Sequence, residues 1–320
     1  MRTSAPTMSG RAWIELVLLA LLWGGSFFSI AIALREIGPF TTVLHRVGWA
    51  ALLLWIIVLA RGLPIPRDWR VWGAFLIMGC LNNVIPFSLM SWGQLHVESG
   101  LVSIFNAMTA PLGVLVAACL LVDERLTATR AAGVALAFSG ACVIIGIDNL
   151  GALDLRALGQ WAVIAGTLSY ALASTWGKLT LRGVDPMVAA AGMLTGSTLV
   201  MAPVAGIVEG APVLALSFAT WSAIAYFAIF ATALAYLLYY RVLGMAGAGN
   251  LMLCTLLIPP VAILLGWAFL NEKLAPEAFA GFGLIALGLV VIDGRLIPGR
   301  AMLGLRRKHD EAAIRDDKSR

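Results

Sequence analysis

Residues 111–144, PLGVLVAACLLVDERLTATRAAGVALAFSGACVI, and residues 259–292, PPVAILLGWAFLNEKLAPEAFAGFGLIALGLVVI, are two copies of one pattern. A shift of 148 lays Pro111 on Pro259, Glu124 on Glu272, Leu126 on Leu274, Gly133 on Gly281, Leu136 on Leu284 and Gly140 on Gly288. A shift of 147 aligns the earlier parts, Trp23 with Tyr170, Arg35 with Arg182 and Pro39 with Pro186. The chain is a duplication, with copies over about 12–147 and 160–294.

Composition says what each copy is. Hydrophobic residues make up 61% and charged residues only 12%, well outside the range of soluble domains, so the class is an all-α integral membrane protein. Ten apolar segments are long enough to span a bilayer, at about 12–34, 41–60, 71–93, 100–122, 131–147, 160–181, 187–208, 217–240, 249–270 and 276–294. Each copy therefore holds five spans. An odd number forces the second copy to enter the membrane from the opposite side, which makes the two copies inverted repeats. Such pairs recur in secondary transporters, because one pattern in two orientations forms inward-open and outward-open states of similar energy.

Basic residues set the orientation. With the N-terminus in the cytoplasm, 18 of the 22 Lys and Arg fall on the inner side and three on the outer, Arg35, Arg156 and Lys273, with Arg46 left inside a span. This bias places both termini in the cytoplasm of a bacterial-type inner membrane. The net charge of +5 thus reports topology rather than nucleic acid. The expected division is a cytoplasmic start over 1–11, repeat 1 over 12–147, an outer linker over 148–159, repeat 2 over 160–294 and a basic cytoplasmic tail over 295–320. Ala31-Ile32-Ala33 has the look of a signal cleavage site, but the repeat needs the first span in the mature chain.

Further residues carry a family resemblance. WGGSF at 23–27, Arg46 in the second span, Pro111 to Glu124 closing the fourth, the glycine-spaced fifth and PPVAILLGWAFLNEKL at 259–274 together resemble the EamA-type members of the drug/metabolite transporter superfamily, over about residues 12–295. The resemblance implies a ten-helix carrier whose central cavity is lined mainly by helices 1, 3, 4, 6, 8 and 9, with helices 5 and 10 packed outside. Many relatives export amino acids or other small metabolites. Smaller members of the superfamily exchange protons through a first-helix glutamate, which draws attention to Glu15, the acid of the first span. Asn82-Asn83, and Asn271 at the position matching Asp123, depart from the family pattern.

Helix-breaking prolines point to a polar interior. Pro86 removes the bond to the carbonyl of Asn82, Pro111 that to Ala107, and Pro259 and Pro260 those to Thr255 and Leu256. Exposed backbone inside a bilayer is tolerated only within protein or beside water. Asn82, Asn83, Asn106, Thr109 and Thr255 stand beside these freed groups and either line a substrate cavity or bond neighbouring helices. Trp23, Ser26 and Phe27 share a face of helix 1, and Tyr170 and Ser174 occupy the shifted positions on helix 6. Thr232 and Tyr236 share a face of helix 8.

Arg46 lies six residues below the outer end of its helix, about 9 Å at the usual rise. Three readings of it stay open: it reaches the headgroups, it pairs with an outer-loop carboxylate, Glu98 first, to hold an outer gate, or it binds an anionic group of the substrate. The resemblance favours the first two, since relatives with different substrates commonly carry an arginine here. His45 points about 100° away on the same helix, so the two need not share a site. Glu124 and Glu272 are read as helix-end residues, capping helices 5 and 10.

No GxxxxGK[ST] loop, HExxH or metal-ligand spacing is present, so no cofactor, metal or direct ATP drive is expected. The leading reading is a secondary transporter of a small polar or amphipathic, amino-acid-like metabolite, working outward by alternating access. A drug or nucleotide-sugar carrier, a channel and a membrane enzyme are its rivals. The partners are the substrate and the bilayer, with protons as coupling ion and a homodimer left open.

Overall fold

The computed structural model describes residues 9–121, 126–146, 154–181, 183–211, 213, 215–251 and 253–293. Within them the chain forms α1 Gly10–Ala33, α2 Pro39–Ala60, α3 Trp69–Gly93, α4 Ser99–Leu120, α5 Ala128–Ile145, α6 Leu155–Thr180, α7 Pro186–Val208, α8 Phe218–Gly247, α9 Cys254–Leu270 and α10 Pro276–Asp293. No strand occurs among the described residues. Eight of these helices are long and apolar enough to cross a membrane, and α9 is a shorter apolar helix of 17 residues. At 26 residues α6 is long enough but less apolar, because Gln160, Thr167, Ser169 and Thr175 lie along its buried side. The chain is a multi-pass membrane protein. Glu124 and the tail read from 295 lie outside the described residues, as does the first half of the linker, 148–153.

Packing follows the duplication. α5 lies against α10, α2 against α7 and α4 against α9, so each helix of these pairs meets its own counterpart. The other main contacts come in exchanged sets: α1 with α9 mirrors α6 with α4, α3 with α6 mirrors α8 with α1, and α3 with α7 mirrors α8 with α2. The two five-helix copies are thus interlocked rather than set side by side.

The α5–α10 seam depends on glycine. A Cβ at Gly140 would lie 2.5 Å from the carbonyl of Gly281, and one at Gly133 would lie 2.6 Å from that of Gly288. Only a residue without a side chain lets these backbones approach so closely.

Two helices widen at matching positions. A π-helical turn occupies Cys80–Val84 in α3, and a longer one occupies Tyr226–Leu234 in α8. Adding 148 to the first gives 228–232, inside the second. Pro86 opens the α-helical stretch after the first turn, Ile85–Gly93, and accounts for that break. The second has no proline, and its sequence gives no warning.

Pro111 follows an interruption at Ala107–Met108, between Ser99–Asn106 and Thr109–Leu120. Pro259 and Pro260 do not act as expected. α9 runs through both, over Cys254–Leu270. The matching interruption lies upstream, where Gly247 adopts φ 76° and a short helical stretch ends at Leu251.

Glu272 also differs from expectation. It caps α4, not α10: its carboxylate accepts from Ser99 N (2.9 Å), Ser99 Oγ (2.9 Å) and Gly100 N (3.1 Å). Asn271 causes this by closing α9 in the left-handed conformation (φ 57°), which turns Glu272 back over the bundle. Glu209 does the same for α2, accepting from Phe40 N and Thr41 N.

Gly140→Val should lower stability in detergent by about 1–3 kcal/mol, because the clash is with backbone and cannot be relieved by a rotamer. Thermal unfolding of Gly140→Val beside Gly113→Val, where a Cβ meets nothing within 4 Å, would check this. Equal losses would deny the seam its special role.

Candidate functional site

The widened turns leave carbonyls without their usual helical partners, and side chains from neighbouring helices approach to bond them. Ser169 Oγ on α6 donates to the carbonyl of Leu81 (2.7 Å), and Ser197 Oγ on α7 donates to that of Gly79 (3.2 Å) as well as to Met193 in its own helix (2.8 Å). Asn83, fully buried, donates through Nδ2 to Ser197 Oγ (2.9 Å). On α8, Thr232 Oγ1 donates to the carbonyl of Phe227, five residues earlier (2.7 Å).

Thr232 leads to Arg46. Its Oγ1 accepts from Arg46 Nε at 3.1 Å, and the guanidinium carbon sits 4.0 Å above the centroid of the Phe87 ring on α3. Arg46 is only 7% exposed, and no carboxylate among the described residues lies within 4 Å of its nitrogens. It does not snorkel to the headgroups.

Aromatic rings continue from there along α8. Asn82 Nδ2 donates to Tyr236 Oη (3.1 Å), Tyr236 stacks on Tyr240 (6.4 Å between centroids), Tyr240 meets Tyr239 edge-on (5.2 Å), and Tyr239 meets Trp23 of α1 (6.0 Å). Phe87 meets Tyr170 edge-on at 6.3 Å. Asn82, Tyr170, Tyr236, Tyr239 and Tyr240 are half-buried although they belong to helices packed inside the bundle. Each keeps part of its surface open rather than sealed in the core.

A sequence profile of the EamA-like transporter family matches residues 10–146 and again 157–293. The chain belongs to the EamA-like transporter family. An "uncharacterized transporter" of Archaeoglobus fulgidus is 26% identical over 88% of this chain and 98% of its own length. A protein of Streptantibioticus cattleyicolor named "probable terminal-alkyne amino-acid exporter" is 27% identical over 92% of this chain and 96% of its own. One solved crystal structure shares the fold with a TM-score of 0.64 at 19% identity, over 88% of this chain and 96% of that one. These relatives mark a transporter of the drug/metabolite superfamily, with a small-molecule substrate and a lipid surround, rather than an enzyme.

In this EamA-like transporter the other sequence-derived positions divide. Ser26 donates to the carbonyl of Trp23 (2.8 Å) and Phe27 is buried in the main apolar core, so both serve packing of α1. Ser174 is exposed and donates to Ala171 (2.8 Å). Thr109 donates to the carbonyl of Asn106 (2.8 Å) at the interruption of α4, where both are half-buried, as is Thr255 in the first turn of α9. His45 accepts from Trp49 Nε1 (3.2 Å) and lies edge-on to Trp221 (5.8 Å), away from Arg46.

One charge assignment changes. Glu98 does not pair with Arg46; it holds Arg156 at the start of α6 through both oxygens (2.9 and 3.1 Å). The loop acid sits at the membrane edge while Arg46 is bound within the bundle. Glu15, the proton-coupling candidate, accepts through Oε1 from Arg11, one turn earlier on α1, and from Arg241, which ties α1 to α8. Phe87, Ser169, Ser197, Tyr239 and Tyr240 were not singled out from the sequence. One signal was available for the tyrosines: the chain has only five, and four of them meet here.

The two outer carboxylates should differ in weight. Glu272→Ala removes three charge-assisted bonds at a helix start and should cost about 1–2 kcal/mol. Glu98→Ala breaks a half-exposed pair and should cost less than about 1 kcal/mol. Unfolding midpoints of the two variants in the same detergent would rank them.

Proposed function

We propose that this chain is a secondary transporter of a bacterial-type inner membrane that exports a small amphipathic, amino-acid-like metabolite by alternating access. Both termini lie on the cytoplasmic side, a reading supported by the 18-to-3 division of basic residues. The repeats over 12–147 and 160–294 are the two parts that rock against each other.

One observation carries the reading: a half-buried group of amide, phenol and indole side chains from α1, α3, α6 and α8 gathers where helices of the two interlocked inverted copies meet. Rings present apolar faces, and amides and hydroxyls present donors and acceptors, which together suit a solute with one polar end and an apolar body. The outward direction and the amino-acid-like class draw support from the name of the S. cattleyicolor relative.

Cells expressing the intact protein, an Arg46→Ala form at matched membrane level, or an empty vector should differ in the metabolites of their medium. The expected result is at least one amino-acid-like compound enriched by the intact form alone. In liposomes its flux should saturate and accelerate when the same compound is placed on the far side. An imposed pH gradient then separates proton exchange from uncoupled exchange. No difference among the three media would count against export.

A further inference from the structure

Most buried arginines in a membrane interior are matched to a carboxylate, because a cation taken from water is costly unless paired. Arg46 is 7% exposed and has no such partner among the described residues. Its surroundings fix it without neutralising it. Thr232 takes the Nε proton and Phe87 covers one face of the guanidinium, so the ring and the hydroxyl determine where the plane lies. Arginine offers five N–H donors in a planar fork, and these contacts use one. The terminal nitrogens form the edge left for a ligand.

The neighbouring phenols add donors of the same sense. Tyr236 Oη accepts from Asn82 at 3.1 Å, which leaves its own proton to give. Tyr170 meets Phe87, the ring beneath the guanidinium, edge-on at 6.3 Å. Guanidinium and phenol O–H groups converging without a carboxylate form an environment for an anion.

Resting on the transporter reading above, we infer that Arg46 receives a carboxylate of the substrate, with the Tyr236 and Tyr170 hydroxyls as supporting donors. The apolar body then extends along α8 toward Tyr240, four residues or about 6 Å nearer the cytoplasmic end. The substrate class is a monocarboxylate with an aromatic or bulky apolar body, α-amino acids included. A neutral solute of the same shape would leave the buried cation unmatched.

Matched probes test this without knowing the natural substrate. The full-length protein in detergent, followed by its tryptophan fluorescence, is titrated with benzoate and phenylacetate and with benzamide and phenylacetamide. Each acid should bind at least ~10-fold more tightly than its amide. Arg46→Gln should erase that preference. Arg46→Lys should keep the preference for charge with weaker binding, and Tyr236→Phe should weaken both acids; these two carry the test should Arg46→Gln fail to fold. Equal binding of acid and amide, absence of binding by either acid, or an acid preference unchanged in the substituted forms would overturn the inference. Because the titration requires no transport, acid-selective binding without any change in the medium would remove export and leave the anion site standing. Export of compounds that all lack an acidic group would remove the anion site and leave the exporter.

Discussion

Inside a bilayer a backbone carbonyl that loses its helical partner must find another donor, since no water is at hand to replace it. That requirement organises the interior of this protein. The widened turns of α3 and α8 release carbonyls at Gly79, Leu81 and Phe227, and Ser197, Ser169 and Thr232 come to them. Those hydroxyls in turn engage Asn83 and Arg46. The polar cluster is therefore a consequence of helix geometry as much as of polar composition. Repairing the backbone places amides, a guanidinium and phenols between the two repeats.

The same defects appear in both copies, but their chemistry diverges. The α3 turn holds Asn82 and Asn83, whereas the matching stretch of α8 is apolar apart from Tyr226 and Thr232. Arg46 belongs to the first copy, while Tyr236, Tyr239 and Tyr240 belong to the second. Symmetry supplies the architecture and its interlocked contacts; asymmetry supplies a binding surface with a charged end and an aromatic end. The ties at the edges are unequal too. At one end of the bundle Glu209, Glu272 and Glu98 hold helix starts, and Glu36 accepts from Ser217 N at the start of α8 (2.9 Å). Near the start of α1, Glu15 and Arg241 join α1 to α8.

Much of this was legible in one dimension. The duplication, the spans and their inversion follow from spacing and hydropathy, and Arg46, Asn82, Tyr170 and Tyr236 stand out because polar and amphipathic residues are rare in such runs. Pro86 announced the first widened turn. The second was invisible, as Tyr226–Leu234 holds no proline and reads as an ordinary apolar helix. Phe87 and Ser197 escaped notice because one is a plain aromatic and the other a plain small residue until a particular neighbour faces it. Pairing across helices was the weakest link. Glu98 and Arg46 are near each other in sequence terms, yet Arg156 reaches the acid first, and one left-handed residue, Asn271, decides which helix Glu272 caps.

The glycine seam has a bearing on ancestry. Gly133 meets Gly288, and their duplicates Gly281 and Gly140 meet in the same way. Such a contact is self-complementary, the condition under which two identical subunits close a two-fold pair. Two separate five-helix chains inserted in opposite directions already possess every residue the seam requires. Fusion into one gene had only to preserve it, and thereafter each copy was free to specialise, one around its arginine and the other around its tyrosines.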